Sequence, residues 1–317
     1  AYAIIADLFP PNRMAFAMSV FALGGSAIGV GASLLLGGYV IGLVADIGPF
    51  SLPSIGQIKA WQMVLIVVGI ISFLMVIPLA FLPEPKRQHV KSLDSQIDSS
   101  FREVLRSMYS ARRFYGLYIT GMCFAAISSY GTAAWIPTYF IRIHGWEASS
   151  AGITLGLAYI VPALIGGLMA GWFADHLYSK GMRKAPLLIM AASIVIASPL
   201  VFLFIFSPSI GFKWVFLVLL YLVSAVWGVL FPTVIQLATP SHSRAQVSSI
   251  HLLFINLAGI GFGPTAVALM TDFGFQDEMA VGSSIAIIGG GSYAVSALFL
   301  YLAIRPFKTQ CDLLIAG

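Results

Sequence analysis

Charged residues are scarce in this chain. Only 9% of its 317 residues are Asp, Glu, Lys or Arg, whereas 59% are hydrophobic and the mean hydropathy is +0.94. A water-soluble domain usually carries about 25% charged residues, because its surface must face water. So few charges cannot cover a globule of this size, which excludes a soluble globular protein and indicates that lipid surrounds most of the chain.

Cysteine is scarce as well, and the sequence shows no motif for a disulfide framework, a metal site or nucleotide binding. Cys123 lies in an apolar run and Cys311 near the C-terminus, a spacing that indicates neither a disulfide framework nor a metal site. The sequence also lacks a Walker-type phosphate loop, which excludes ATP as a direct energy source in this chain. We therefore expect no metal ion and no cofactor.

What the chain does contain is a series of long runs without Asp, Glu, Lys or Arg. The shortest run has 24 residues, and about 20 helical residues cross the ~30 Å hydrocarbon core of a bilayer. Backbone groups in lipid must be hydrogen-bonded within the segment, so each run is predicted to be a helix; the short alternating runs of a barrel are absent. The sequence predicts an all-α polytopic membrane protein with a helix stub at 1–8 and eight full spans within 14–45, 60–83, 114–141, 148–174, 185–212, 214–243, 245–271 and 279–304.

The basic residues predict the orientation of these spans. Of the 17 Lys and Arg residues, 14 fall in alternate connections, and such an excess marks the cytoplasmic side. We therefore expect a multi-pass protein of the bacterial inner membrane with a cytoplasmic C-terminus, and we interpret the net charge of +5 as a topology signal without nucleic-acid binding. The 14 residues are Arg13, seven between 86 and 113, Lys180, Arg183, Lys184, Arg244, Arg305 and Lys308; Lys59, Arg142 and Lys213 occupy the opposite connections.

The longest cytoplasmic connection, 84–113, begins with a polar segment and ends with a helical pattern. Ser99 or Ser100 is a candidate N-cap, and Glu103 lies in the first turn. We expect a short amphipathic helix at the membrane surface, the alternative being a solvated linker with a chance apolar stripe. The stripe consists of Phe101, Val104, Leu105 and Met108.

A shift of 230 residues superimposes 10–31 on 240–261 and aligns Gly29 with Gly259 and Gly31 with Gly261. Parallel repeats of six helices build one large class of transporters. By this shift the first unit would begin about 120 residues before residue 1, so we expect the chain to be an N-terminally truncated fragment.

One polar turn carries a family resemblance. Gly171-x-x-x-Asp175 followed by Gly181-x-Arg183-Lys184 resembles the second copy of the cytoplasmic signature of the major facilitator superfamily, between its helices eight and nine. The segments 7–17, 130–152 and 243–272 resemble the link between helices four and five, helix seven with the start of helix eight, and helix eleven; the last is similar to the spinster-like branch.

The resemblance implies two six-helix bundles, the first incomplete in this chain. It assigns 1–83 to the N-terminal bundle (the end of helix four, then helices five and six), 84–113 to a cytoplasmic linker, 114–304 to the C-terminal bundle (helices seven to twelve) and 305–317 to a cytoplasmic tail. It also implies a small-molecule substrate, proton coupling, a lipid bilayer around the protein and a monomer.

The signature residues predict a conformational lock. The Asp175 carboxylate is placed to accept amide hydrogen bonds from a facing helix that begins near Met14 or Ala15. Such contacts would bias the protein toward the state with its cytoplasmic end closed; the alternative is an ordinary interfacial Asp beside topology markers. The predicted lock set is Gly171, Asp175, Gly181, Arg183, Lys184, Asp7 and Arg13.

The spans contain no Asp, Glu, Lys or Arg, and His251 is the ionisable side chain two turns into a span, so the substrate path is predicted to be aromatic and uncharged in this part of the protein. For every candidate, core packing is the competing interpretation. The candidates are Tyr130, Trp135, Tyr159, His251 and Asn256, and the predicted close-packing positions are Gly29, Gly31, Gly259, Gly261, Gly263 and Pro264.

These features favour a secondary active transporter of a small organic solute that works by alternating access and is proton-coupled. The alternatives of the same fold are an uncoupled facilitator and a lipid or drug exporter. An intramembrane enzyme is disfavoured because the spans cannot assemble a catalytic cluster. A channel is disfavoured because no filter-like stretch or charged ring appears.

Overall fold

The computed structural model describes residue 5 and residues 9–47, 50–52, 56–58, 60–74, 76–77 and 101–316. Most of the predicted helix stub at 1–8, including Asp7, lies outside the described residues. The polar part of the linker, 84–100, lies outside them too, and so do its two candidate N-cap serines.

Nine helices are found in the described part of the chain. Seven of them, all but α2 and α3, are long and apolar enough to cross a membrane. The predicted span at 60–83 is described as a shorter apolar helix, α2, and 78–83 lie outside the described residues. The helices are α1 (Met14–Ile47), α2 (Ala60–Leu74), α3 (Phe101–Ser110), α4 (Arg112–His144), α5 (Ala148–Ser179), α6 (Ala185–Phe206), α7 (Ile210–Ala238), α8 (Arg244–Phe275) and α9 (Glu278–Ala316).

A small sheet interrupts the helical architecture between α1 and α2. Strand β1 (Phe50–Leu52) pairs antiparallel with β2 (Gly56–Ile58), and Phe50 is opposite Ile58. Gly56 has a φ of +86°, the left-handed region that glycine reaches without steric cost. The all-α prediction therefore holds apart from this short connection.

Three of the long helices contain π-helical segments, several of them rich in glycine. In α1, Gly24–Gly29 separates α-helical Met14–Leu23 from Val30–Ile47. Such widened turns occur often at functional sites. In α8 the segments are Arg244–Asn256, Leu257–Phe262 (π), Gly263–Leu269 and Met270–Phe275 (π); in α9 they are Glu278–Ala280 (a 3₁₀ turn), Val281–Ile285, Ala286–Gly290 (π) and Gly291–Ala316.

The last helix continues past the predicted end of its span. Helical structure extends through Pro306 to Ala316, so the predicted tail at 305–317 continues α9 as far as the structure describes it. A proline inside a helix removes one backbone hydrogen bond and crowds the carbonyl four residues earlier, and α9 accommodates Pro306 where the helix leaves its apolar stretch.

The interior of helices α4 to α9 is built around large side chains of α4. The ring of Phe114 lies 5.3 Å from that of Tyr118 and 5.4 Å from that of Phe307 in α9. The Tyr118 hydroxyl donates a hydrogen bond of 3.1 Å to the Phe231 carbonyl in α7. A buried polar group is costly unless it is hydrogen-bonded, so this bond fixes α4 against α7.

Lys213 is buried rather than placed in a connection between spans. It lies in the first turn of α7 with 7% of its surface exposed. Its ammonium group donates to the Tyr139 hydroxyl (2.8 Å) and to the carbonyls of Phe204 (3.4 Å) and Ile205. The last carbonyls of a helix have no intrahelical partner. Lys213 therefore caps the end of α6, which the sequence pattern did not reveal.

Candidate functional site

The Asp175 carboxylate lies at the junction of α5 with the start of α1. It accepts a hydrogen bond of 3.0 Å from the Ala15 amide and one of 2.8 Å from the Phe16 amide. Both amides belong to the first turn of α1, which has no intrahelical acceptor for them and carries the positive end of the helix dipole. The structure thus contains the contact between Asp175 and a helix beginning at Met14 that the sequence predicts.

We call the end of the helices that carries Lys180, Arg183 and Lys184 the basic end. Gly181 has a φ of +88° in the turn between α5 and α6, a conformation suited to glycine. Arg183 forms a salt bridge of 2.8 Å with Asp312 of α9. The partner of Arg183 therefore lies on the last helix, not across the contact with α1.

The other members of the predicted lock set take no part in the Asp175 contact that the structure describes. Arg13 is exposed, lines a cavity beside Asp175 and directly precedes α1. Lys184 is half-exposed and directly precedes α6. Asp7 lies outside the described residues.

Small residues hold α1 and α5 together from the basic end toward the middle. A Cβ atom on Gly171 would lie 2.9 Å from the Ala15 carbonyl oxygen and would overlap the Ser19 hydroxyl. One turn further along α5, a Cβ on Gly167 would collide with the Leu23 side chain. The absence of side chains at these two positions lets the helices approach closely enough for Asp175 to reach the α1 amides.

The same two helices remain in close contact toward the opposite end. A Cβ on Gly156 would lie 2.7 Å from the Gly31 carbonyl oxygen, and one on Gly152 would lie 2.8 Å from Cα of Gly38. Beyond this point Gly42 makes ordinary contact with Ser149. The α1–α5 interface, Ala15–Gly42 against Ser149–Asp175, therefore has close helix contacts near both of its ends.

A cavity of about 250 Å³ opens between α1, α4, α5 and α7, bordering this interface. The rings of Tyr159 and Tyr221 form its aromatic wall and meet edge to face with centroids 4.8 Å apart. Ser33 supplies a further hydroxyl, although it donates to the Gly29 carbonyl (2.5 Å) of its own helix. No acidic or basic side chain is among the described residues that line the cavity.

Of the five path candidates, only Tyr159 lines this cavity. Tyr130 is 38% exposed and packs against Gly259. Trp135 donates its indole N–H to the Pro264 carbonyl (2.9 Å), which makes it a link between α4 and α8. Asn256 is exposed at the point where α8 enters its π-helical segment.

His251 is enclosed in the interior of the helices and does not line the cavity. It is 1% exposed, its ring stacks on Tyr118 (centroids 5.2 Å apart), and the Phe231 ring lies 5.6 Å away. Neither ring nitrogen has a hydrogen-bond partner among the described residues. The geometry gives it a packing position between α4 and α7.

The predicted close-packing positions divide into two groups. Gly263 approaches the backbone of α4, where an added Cβ would lie 2.8 Å from the Ile127 carbonyl oxygen, and Gly31 and Gly259 are similarly tight. Gly29 meets only its own helix, and Gly261 makes an ordinary contact of 3.9 Å with the Leu257 side chain. For these two positions no close helix approach is found in the described structure.

Two relevant residues were not among the sequence candidates. Tyr221 completes the aromatic wall, and Ser33 brings α1 to the cavity. Both lie in helices that are apolar on all sides, so periodicity gives no indication of which face points inward. No cluster of His, Cys, Asp or Glu suited to a metal ion occurs in the ranges that the structure describes.

Residues 1–264 match the family described as Major Facilitator Superfamily. The glucose-6-phosphate exchanger SLC37A2 of Mus musculus is 25% identical over 216 residues, which are 65% of this chain and 41% of that protein. Its counterpart in Bos taurus is 28% identical over 126 residues, 38% of this chain and 24% of that protein. The matched regions thus span less than half the length of these relatives.

Two solved structures share the fold. An inward-facing, unoccupied bacterial homologue of the human lysosomal transporter Spinster has a TM-score of 0.63 and 20% identity. The match covers 99% of this chain and 74% of the homologue. The E. coli fucose:proton symporter FucP has a TM-score of 0.58 and 17% identity, covering 95% and 72%. At these identities the likeness establishes the helical architecture alone.

Proposed function

Because the chain belongs to the major facilitator superfamily, we propose that it is part of a secondary active transporter for a small organic solute. It is a multi-pass membrane protein, and its helices have the architecture of transporters. The observation that supports the proposal is the α1–α5 interface, which joins helices of two predicted bundles and borders an aromatic cavity between its two ends.

The proposed domain division places the moving boundary at this interface. Helices α1 and α2, within 1–83, belong to one bundle, and α4 to α9, starting within 84–113 and extending beyond 304, form the other. The basic end faces the cytoplasm, as the excess of Lys and Arg at that end favours. Transport then requires α1 to separate from α5 at one end while contact persists at the other.

In this scheme, Asp175 contributes to the free energy that is needed to separate α1 from α5 at the basic end. Its two hydrogen bonds exist only while α1 lies against α5. Opening that end breaks both bonds, and a bound solute must offset the loss by binding the open state more tightly. Gly171 serves the same contact, because any side chain there would hold the helices apart.

The cavity fits an uncharged part of the solute. Aromatic rings contact apolar surfaces while their hydroxyls remain available for hydrogen bonds to a polar group. SLC37A2 is a glucose-6-phosphate exchanger; a phosphate ester would need basic groups from outside the lining described here. Tyr159 and Tyr221 are therefore the proposed contacts for an apolar or hydroxyl-bearing part of the solute.

Proton coupling is the mode that the family resemblance favours, and FucP is a fucose:proton symporter. A second candidate is exchange or facilitated transport without protons. The cavity supports it, since its described lining contains no carboxyl or imidazole group that could carry a proton. In the first mode the coupling group lies outside this lining.

Solute flux in proteoliposomes separates the two modes. The intact protein is reconstituted and tested against a panel of sugars, sugar phosphates and small amphiphilic solutes, with and without an inward proton gradient. Accumulation that depends on the gradient supports proton coupling, whereas equilibration or counterflow that ignores it supports the second candidate. Absence of flux for every solute class, with D175N and wild type alike, would contradict the transporter proposal.

A further inference from the structure

A further cavity, of about 690 Å³, lies at the basic end and is lined by residues of α3, α4 and α9. The start of α4 and the last turns of α9 form its walls, and the end of α3 closes one side. Arg112 and Arg113 of α4 and Arg305 of α9 bring three guanidinium groups to this cavity. Neither the proposed transport path nor the signature contact uses it.

These three arginines lack acidic partners among the described residues. The Arg112 guanidinium lies 4.8 Å from the Tyr109 ring centre, an aromatic contact that leaves its charge uncompensated. The nearest acid along α9, Asp312, is already paired with Arg183. Three like charges around one cavity repel each other, so an anion bound between them would be favoured.

The walls of the cavity are apolar as well as basic. Tyr109 is 67% exposed and Leu313 is 64% exposed, and both line it. On α3, Val104 is buried against the other helices whereas Leu105 is 45% exposed. A free phosphate ion needs no apolar wall. A phospholipid needs both a cationic pocket for its phosphate and an apolar surface for its chains.

We propose that this cavity binds the headgroup of an anionic phospholipid. Its phosphate lies among Arg112, Arg113 and Arg305, and its acyl chains extend along Tyr109 and Leu313. Arginine suits this role because its planar fork of donors matches phosphate oxygens. The site would anchor α3 and the end of α9 to the bilayer surface, and it does not depend on the transport proposal.

Native mass spectrometry of the intact protein in detergent tests the site. Phosphatidylglycerol is titrated against phosphatidylcholine as the zwitterionic reference. The triple variant R112Q/R113Q/R305Q should bind phosphatidylglycerol about 100-fold more weakly, since each of the three basic residues near an anionic lipid surface contributes a factor of about five. The variant R112K/R113K/R305K keeps the charges but loses the planar donor fork, so it should bind phosphatidylglycerol more tightly than the glutamine variant and more weakly than wild type.

A matched control removes three charges at the same end without touching the cavity. Arg102, Arg106 and Lys308 are exposed and do not line it. R102Q/R106Q/K308Q should bind phosphatidylglycerol as wild type does; an equal loss in this variant would show a diffuse basic surface and overturn the proposal. If the first triple variant does not fold, R305Q alone should still weaken binding about fivefold.

Inorganic phosphate distinguishes the two sources of the anion. An excess of it should displace phosphatidylglycerol only weakly, because it lacks the acyl chains that contact Tyr109 and Leu313. Full displacement by inorganic phosphate, or equal binding of phosphatidylcholine and phosphatidylglycerol, would contradict a site for an anionic lipid.

Discussion

Replacing Asp175 by Asn should open the basic end of the α1–α5 interface. Asp175 is 8% exposed, so most of its surface is shielded from water where it accepts its two hydrogen bonds. One hydrogen bond to a charged group contributes about 1.5–3 kcal/mol. Asn keeps one acceptor oxygen but points an amide donor at the second N–H. We expect a loss of about 2 kcal/mol, which lowers the ratio of closed to open molecules about 30-fold.

Cysteine alkylation measures this opening. Ser19 is fully buried where α1 meets Gly171, so a cysteine at position 19, with both native cysteines replaced by Ser, reacts only when the helices separate. D175N should raise its rate of reaction with a membrane-permeant maleimide by about the same 30-fold factor, as long as closing is faster than alkylation. D272N, the same change at an exposed aspartate of α8, should leave the rate unchanged.

An unchanged rate in D175N would refute the reasoning, because the two amide bonds would then contribute nothing to closure. An equal increase in D272N would also refute it, since the effect would reflect general loosening of the helices rather than the contact between Asp175 and α1.

Two further predictions concern the opposite end and the capping of α6. In G152L the added side chain would meet the backbone of α1 at 2.8 Å, so a cysteine at position 149 should react faster with the maleimide. G116L is the control: the structure leaves open space there, so it should not change the rate at position 149. K213M removes the cap of α6 and should lower the Tm of the purified protein by roughly 3 °C, from a loss of about 2 kcal/mol. K308M, at an exposed position, is the control, and equal Tm values for both variants would contradict the cap.

The contact between Asp175 and α1 could be predicted because it depends on local signals. A lone carboxylate at the end of an apolar span needs donors, and the first turn of a helix offers them. The alignment of 10–31 with 240–261 indicated that the helix beginning near Met14 starts at the same membrane depth as Asp175. Membrane-spanning helices could be predicted for a similar reason, since the scarcity of charge is a property of each segment alone.

The substrate-facing residues could not be predicted in the same way. Helices such as α5 and α7 are apolar on all sides, so their sequences do not reveal which face turns toward the cavity. His251 has the polarity of a path residue, yet tertiary packing places it between Tyr118 and Phe231. Trp135 likewise serves the contact between α4 and α8.

Burial of Lys213 depends on a partner in another helix. In the sequence it resembles a charge that marks the end of a span. Its contacts, the Tyr139 hydroxyl and the last carbonyls of α6, come together only after α4, α6 and α7 have packed. The register of α1 on α5 has the same origin, because glycines spaced along both helices allow several alignments.

Distances across the two ends of the α1–α5 interface test the central claim most directly. Spin labels at Asn12 and Ser179 report on the basic end, and labels at Leu43 and Ser150 on the opposite end; all four positions are exposed. In the intact protein in nanodiscs, double electron–electron resonance should find both distances short in the wild type. D175N should add a longer distance at the basic end alone. Lengthening at both ends together, or at neither, would contradict an interface whose ends open separately.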